Sequence, residues 1–151
     1  MALVDQLFVD SVIEDKEFDI SYKTKGAAGM DLRAKLDTPT LTFPPFGRAL
    51  IKTGVKLAIP EGYLGYVNPR SGLAYKKGLT VLNAPGTIDS DFRGEIGVIL
   101  VNLSAEEATI EYGERIAQIV FHKVENVVLI DTVELPDTDR GAGGFGSTGE
   151  K

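Results

Sequence analysis

Turn-forming residues cut this chain into pieces too short for anything but a β-rich fold. Pro-Pro-Phe-Gly at 44–47, Pro-Glu-Gly at 60–62, Ala-Pro-Gly at 84–86 and Glu-Tyr-Gly at 111–113 punctuate it, and Gly and Pro are the strongest local breakers of regular structure. Between them, "VKLAI" alternates, with Val55, Leu57 and Ile59 on one face of a strand. The runs "EIGVILVNL", "RIAQIVF" and "NVVLI" are rich in β-branched residues and suit strands buried on both faces. Short strands at regular spacing point to a sandwich, barrel or jelly roll. One short helix is expected at Ser71–Lys77, with Ser71 as N-cap and Gly78 as the stop. "SAEEA" at 104–108 reads as a loop or a single helical turn. With 151 residues and no internal repeat, the chain is long enough for one domain with a core that needs no covalent staples.

Composition removes several chemistries. There is no cysteine, hence no disulfide framework, thiol nucleophile or thiolate-ligated metal. The single histidine, His122, rules out a multi-histidine metal site and has no evident acid or serine partner, so it reads as a structural or surface residue. A formal net charge of −6 disfavours sequence-independent nucleic-acid binding. An anionic small molecule remains compatible if basic groups converge locally or a cation offsets the repulsion. The N-terminus carries early acids and no basic leader, and no apolar run approaches the roughly 20 residues of a membrane helix. The expectation is a soluble, cytoplasmic protein with neither nucleic-acid nor membrane partners.

Four internal segments interrupt the strand pattern with polar residues. "AAGMDLRA" sets Asp31 just after Gly29 and before a strand. It reads as a capped turn, or as a carboxylate near a Mg²⁺ that keeps its waters and binds mainly through substrate phosphates. "NPRSGLAYKKG" puts Arg70 and Ser71 at the start of the expected helix. They are either a capped helix with a solvated arginine or a phosphate-binding group, since arginine offers a forked donor and helix N-termini favour anions. "NAPGTIDSDFRGEI" holds Asp89 and Asp91 two apart, followed by Phe92; in a strand both carboxylates would share a face. The stretch is an acidic hairpin turn with a core phenylalanine, or a carboxylate placed to activate water beside a flat or sugar-like group. "GERIAQIVFHK" carries Arg115 and Gln118 in an otherwise apolar strand, where a half-buried arginine needs an anion or an internal carboxylate as partner.

The chain ends in "DRGAGGFGSTGEK", in which Gly141, Gly143 and Gly146 match G-x-G-x-x-G. Phosphate loops of that type require a helix directly after the glycines, and the sequence reads instead as a phosphate loop without its own helix. The last eleven residues, with five glycines and no large aliphatic side chain, are expected to be mobile when nothing is bound.

Taken in order, "AAGMDLRA", "PRSGLA", "NAPGTIDSDFRGEI", "GERIAQ" and "DRGAGGFGSTG" closely resemble the five motifs of the homotrimeric deoxyuridine triphosphatase family, from about Ala27 to Gly149. The resemblance implies an all-β, jelly-roll-like barrel or sandwich, with one short helix and a mobile glycine-rich C-terminal arm. It implies a single β domain over 1–139 and a lid arm over 140–151. It implies a homotrimer whose three sites are each built from all three chains. It implies hydrolysis of dUTP to dUMP and pyrophosphate with Mg²⁺, which keeps uracil out of DNA and supplies dUMP for thymidylate synthesis. Residue by residue, Asp31 is similar to the aspartate that holds Mg²⁺ through water. Arg70, Ser71 and Gly72 resemble the phosphate group of the second motif. Asp89 resembles the aspartate that orients the attacking water, and Asn83 with the hairpin backbone resembles the uracil reader. Phe92 stands where the family usually has a tyrosine against the deoxyribose, and Gln118 resembles the polar group near the phosphates. Arg140, Phe145, Gly146, Ser147 and Thr148 resemble the closing tail, with Phe145 stacked on the base. Ile20 stands where a proline is common, a local departure. Competing expectations are a metal-free dCTP deaminase, a bifunctional deaminase and pyrophosphatase on a related fold, or a nucleotide-sensing regulatory binder.

Overall fold

The computed structural model describes residues 6–147. Eleven strands and one helix follow one another as β1 (Asp10–Ile13), β2 (Met30–Arg33), β3 (Thr40–Phe43), β4 (Arg48–Lys52), β5 (Val55–Ala58), β6 (Tyr63–Asn68), α1 (Ser71–Lys77), β7 (Leu79–Val81), β8 (Gly86–Ile88), β9 (Gly97–Asn102), β10 (Ala108–Glu111) and β11 (Arg115–Lys123). All strand pairs are antiparallel. They form a four-stranded sheet β2-β11-β6-β8, a three-stranded sheet β4-β9-β7 and the pairs β1-β5 and β10-β3. This is the jelly-roll-like architecture that the family resemblance implies, and one of those left open by the spacing of strands and turns.

A single core of Leu32, Phe43, Ile51, Val67, Leu79, Val98, Leu100, Ile110 and Ile119, among others, lies between the sheets. Each such side chain contributes about 1.5–3 kcal/mol of burial. Val55 and Ile59 are buried and Leu57 packs partly against the core, as the alternation of "VKLAI" requires. The buried Asn102 is fully satisfied: its Nδ2 donates to the Phe43 and Glu106 carbonyls, and its Oδ1 accepts from the Ser104 backbone N–H and hydroxyl. That network closes the 103–107 loop, which is bent rather than helical.

The helix begins and ends at the expected residues, and Gly78 stops it in the left-handed region at φ 67°, where a side chain would also collide with Ser104. The cap itself differs from expectation. Arg70, in extended conformation, is the N-cap; no side chain caps the helix, and Ser71 is its first residue. The run "NVVLI" also differs. Regular structure ends at Lys123, and Val127, Val128, Leu129 and Ile130 are largely exposed. The apolar composition is strand-like, but this chain offers the segment no partner edge among the described residues.

Candidate active site

The four-stranded sheet gathers three of the motifs at one end. In register, Gln118 of β11 lies between Asp31 of β2 and Asn68 of β6, so a polar row crosses three strands and leads through Pro69 to Arg70. Asp31 lies within β2 rather than before it, on the face opposite the fully buried Leu32. A register shift in the β2–β11 ladder between Arg115 and Ala117 buries Ile116 and Ala117 in succession and turns Arg115 toward Asp31, the re-aiming that an extra residue in one strand produces.

Asp31 caps no turn. Its Oδ1 accepts from Arg70 Nε at 2.9 Å and its Oδ2 from Arg115 Nη1 at 3.1 Å. Arg70 Nη1 donates in addition to the Arg115 carbonyl at 3.1 Å. The Asp31 side chain is 14% exposed, against 29% for Arg70 and 43% for Arg115. Two cations thus share one carboxylate, and the partner that Arg115 needs is an internal aspartate. The Gln118 amide donates to the Pro69 carbonyl at 3.1 Å. Its Oε1 lies where a Cβ on residue 29 would stand, 2.6 Å away, so Gly29 makes room for this side chain. At Gly72, by contrast, a Cβ would meet nothing within 4 Å; the open space beside Ser71 suits a ligand. The first turn of α1 leaves N–H groups without intrahelical acceptors, as every helix does.

The third motif lies elsewhere. Asp89 and Asp91 follow β8 in a turn closed by the Phe92 N–H on the Asp89 carbonyl, not in a strand where they would share a face. Both are exposed. The Phe92 ring lies across Gly94, where a Cβ would fall 2.6 Å from its Cζ. Asn83 folds its amide toward Gly86 in the turn that contains the cis Ala84–Pro85 bond. Because β8 runs antiparallel to β6, with Gly86 opposite Val67 and Ile88 opposite Gly65, Asp89 continues to the level of Leu64. Arg70 lies beyond the other end of β6, whose four steps from Leu64 to Asn68 span about 13 Å at 3.3 Å per residue. The structure therefore brings together Asp31, Arg70, Ser71, Gly72 and Gln118 in one group and Asp89 and Phe92 in another, and does not join the two within one chain.

The tail is a third group. Arg140 Nε donates to the Gly143 carbonyl, Gly146 sits at φ 83°, and Phe145 and Ser147 are exposed; Thr148 lies outside the described residues. His122 is exposed near the end of β11, its ring 5.1 Å from Tyr66, outside all three groups. The paired role of Arg115 was visible in sequence only as an unexplained charge in an apolar run.

A family model described as dUTPase matches residues 16–149. The deoxyuridine 5'-triphosphate nucleotidohydrolase of Aquifex aeolicus is 61% identical over 131 residues, covering 87% of each chain. That of Hydrogenobaculum sp. is 51% identical over 146 residues, covering 97% of this chain and 99% of the relative. Among solved structures, the dUTPase of Staphylococcus bacteriophage 80alpha with dUPNHPP superposes with a TM-score of 0.83 at 27% identity, covering 95% of this chain and 99% of that one. Ordered motifs, fold and relatives agree, and the chain belongs to the dUTPase family.

Proposed function

We propose that this chain hydrolyses dUTP to dUMP and pyrophosphate as a homotrimer whose sites are shared between chains. Family membership supports the reaction. What supports the shared site is the placement of Asp89 at one end of β6 and of Arg70 beyond the other, with about 13 Å of strand between them, which argues against their serving one α-phosphorus together. In a ring of copies, the hairpin of one chain meets the Asp31–Arg70 group of the next. The exposed run Val127–Ile130 leaves the domain after β11 and suits burial against a second copy. It would carry the 140–151 arm, set apart from the 1–139 domain, toward a third.

In this reading Asp89 takes a proton from water as its oxygen bonds to the α-phosphorus and the bond to the bridging oxygen of pyrophosphate breaks. Arg70, the Ser71 hydroxyl and the backbone at Gly72 hold the phosphates, and Gln118 keeps the Pro69–Arg70 turn in place. Asn83 and the hairpin backbone read the uracil edge; cytosine, with the opposite donor and acceptor pattern, would leave buried groups unpaired. Phe92 packs on the deoxyribose. Arg140, Phe145, Gly146, Ser147 and Thr148 close over the triphosphate, and Phe145 covers the base.

No cluster of three or more acidic, histidine or cysteine side chains stands ready as a metal cage among the described residues. The donor set fits a hydrated Mg²⁺ arriving on the phosphates, since each Asp31 oxygen accepts one hydrogen bond and retains capacity for a water. Such an ion supplies charge neutralisation at the phosphates. No helix among the described residues is long and apolar enough to cross a membrane. The test of the reaction is pyrophosphate release from dUTP, compared with dCTP and UTP, with and without Mg²⁺. Release from dUTP alone supports the reading, and deamination of dCTP overturns it.

A further inference from the structure

We infer that Asp31 gates the two arginines: in the free protein its carboxylate withholds Arg70 and Arg115 from phosphate, and a divalent cation releases them. Arg115 is then a second phosphate-binding residue beside Arg70. The inference rests on the reading of this group as a triphosphate site, and goes beyond it in assigning Asp31 a task before any ligand arrives.

The geometry has three parts. Each Asp31 oxygen is taken by a different arginine, Oδ1 by Arg70 and Oδ2 by Arg115, so the negative charge lies between the two cations where a phosphate would have to enter. Arg70 has a second donor committed to the Arg115 carbonyl, which leaves only part of its five-donor fork for a ligand. Finally, Asp31 is the least exposed of the three, and charge-assisted bonds in such surroundings are stronger than solvated ones. The strand irregularity that turns Arg115 inward builds this arrangement into the fold.

A polyphosphate that arrives without a cation must compete with Asp31 for both arginines and meets its charge at close range. When a hydrated cation accompanies the phosphates, Asp31 gains a new partner and the guanidinium donors turn to phosphate oxygens. Cation and polyphosphate therefore strengthen each other's binding, reciprocally, as any coupling between two ligands must. Removing the carboxylate's charge should help a metal-free ligand, the opposite of what a residue serving only to hold the cation would give.

The experiment is calorimetric titration of the full chain with tripolyphosphate and, separately, with dUpNHpp, each with and without Mg²⁺. Wild type should bind metal-free tripolyphosphate weakly and gain about tenfold or more with Mg²⁺, the scale of charge-assisted hydrogen bonds. In Asp31→Asn, metal-free affinity should rise by about tenfold and the gain from Mg²⁺ should largely vanish. Asp31→Ala repeats the comparison without an amide that could re-pair with the arginines. In Arg115→Gln, metal-free affinity should fall while the gain from Mg²⁺ persists, because Asp31 then holds Arg70 alone. Metal-free affinity that is unchanged or weaker in both Asp31 variants, each folded by circular dichroism, overturns the inference. The dUpNHpp arm separates the two readings: the predicted pattern with tripolyphosphate and no binding of dUpNHpp would sink the nucleotide assignment and leave the gate standing.

Discussion

A carboxylate that activates water must be free to take a proton, and one that organises cations must not be. In the proposed reaction Asp89 and Asp31 divide in this way. Asp89 is exposed in a turn after β8 with no ion-pair partner among the described residues, whereas both oxygens of Asp31 are engaged by arginines. Asp89→Asn keeps the shape and removes the basicity, so turnover of dUTP should fall about 10²–10⁴-fold, with dUpNHpp affinity nearly kept; steady-state kinetics and titration together check this. Phe92 lies over Gly94 with part of its ring open to solvent. A ring packed on the sugar leaves no room for a 2′-hydroxyl, so Phe92→Ala should reduce the dUTP/UTP preference in kcat/KM by about tenfold or more. An unchanged preference would mean that another group reads the sugar.

At the scale of elements, local signals were readable and long-range ones were not. The bounds of α1, its glycine stop and the strands β5, β9 and β11 follow from periodicity and turn chemistry, which act within a few residues. The sequence could not show that Asp31 would meet Arg70 and Arg115, because those contacts span 39 and 84 residues and depend on a register shift. Sequence alone also misleads at 126–130, whose β-branched residues promise a strand although no edge among the described residues receives it, and at the Asp89–Asp91 pair, where turn chemistry wins over alternation. Two predictions belong here. A chain stopped after Asp139 loses no strand among the described residues and no large aliphatic side chain, so it should fold and assemble as before. Ordering the tail costs about 1–2 kcal/mol per residue and is worthwhile only when it completes the charge set at the phosphates. Turnover should therefore drop by about two orders of magnitude, while dUMP affinity changes little. Wild-type turnover would make the tail dispensable. The second concerns the tie between the β1–β2 loop and the β10–β11 turn, where the Tyr112 hydroxyl donates to Asp15. That hydrogen bond holds the Asp15 carboxyl below its ordinary range and raises the Tyr112 phenol. Asp15 thus contributes stability above its unfolded pKa that is lost as pH falls through its lower folded value. Tyr112 contributes below its unfolded pKa and loses that as pH rises through its higher folded value. Tyr112→Phe should lower the denaturation midpoint at neutral pH by a small amount, and the gap to wild type should narrow toward both acid and alkali.

For the whole molecule, the proposed reading has one chain hold the parts of a site but not a whole site. The Asp31–Arg70 group and the Asp89–Phe92 turn lie toward opposite ends of β6, the apolar run after β11 is uncovered, and the tail touches neither group through a hydrogen bond among the described residues. In the proposed homotrimer, a closed ring of identical chains would supply each missing part from a neighbour. The most direct measurement is complementation. Asp89→Asn and Arg70→Ala chains, each inactive alone, are co-expressed and the mixed trimers verified by native mass spectrometry. If Asp89 and Arg70 of one site come from different chains, random mixing in equal amounts should restore about one quarter of wild-type sites and a matching share of dUTP turnover. If both residues of a site come from the same chain, every site keeps one lesion, and mixed trimers with no more activity than their parents would contradict the account.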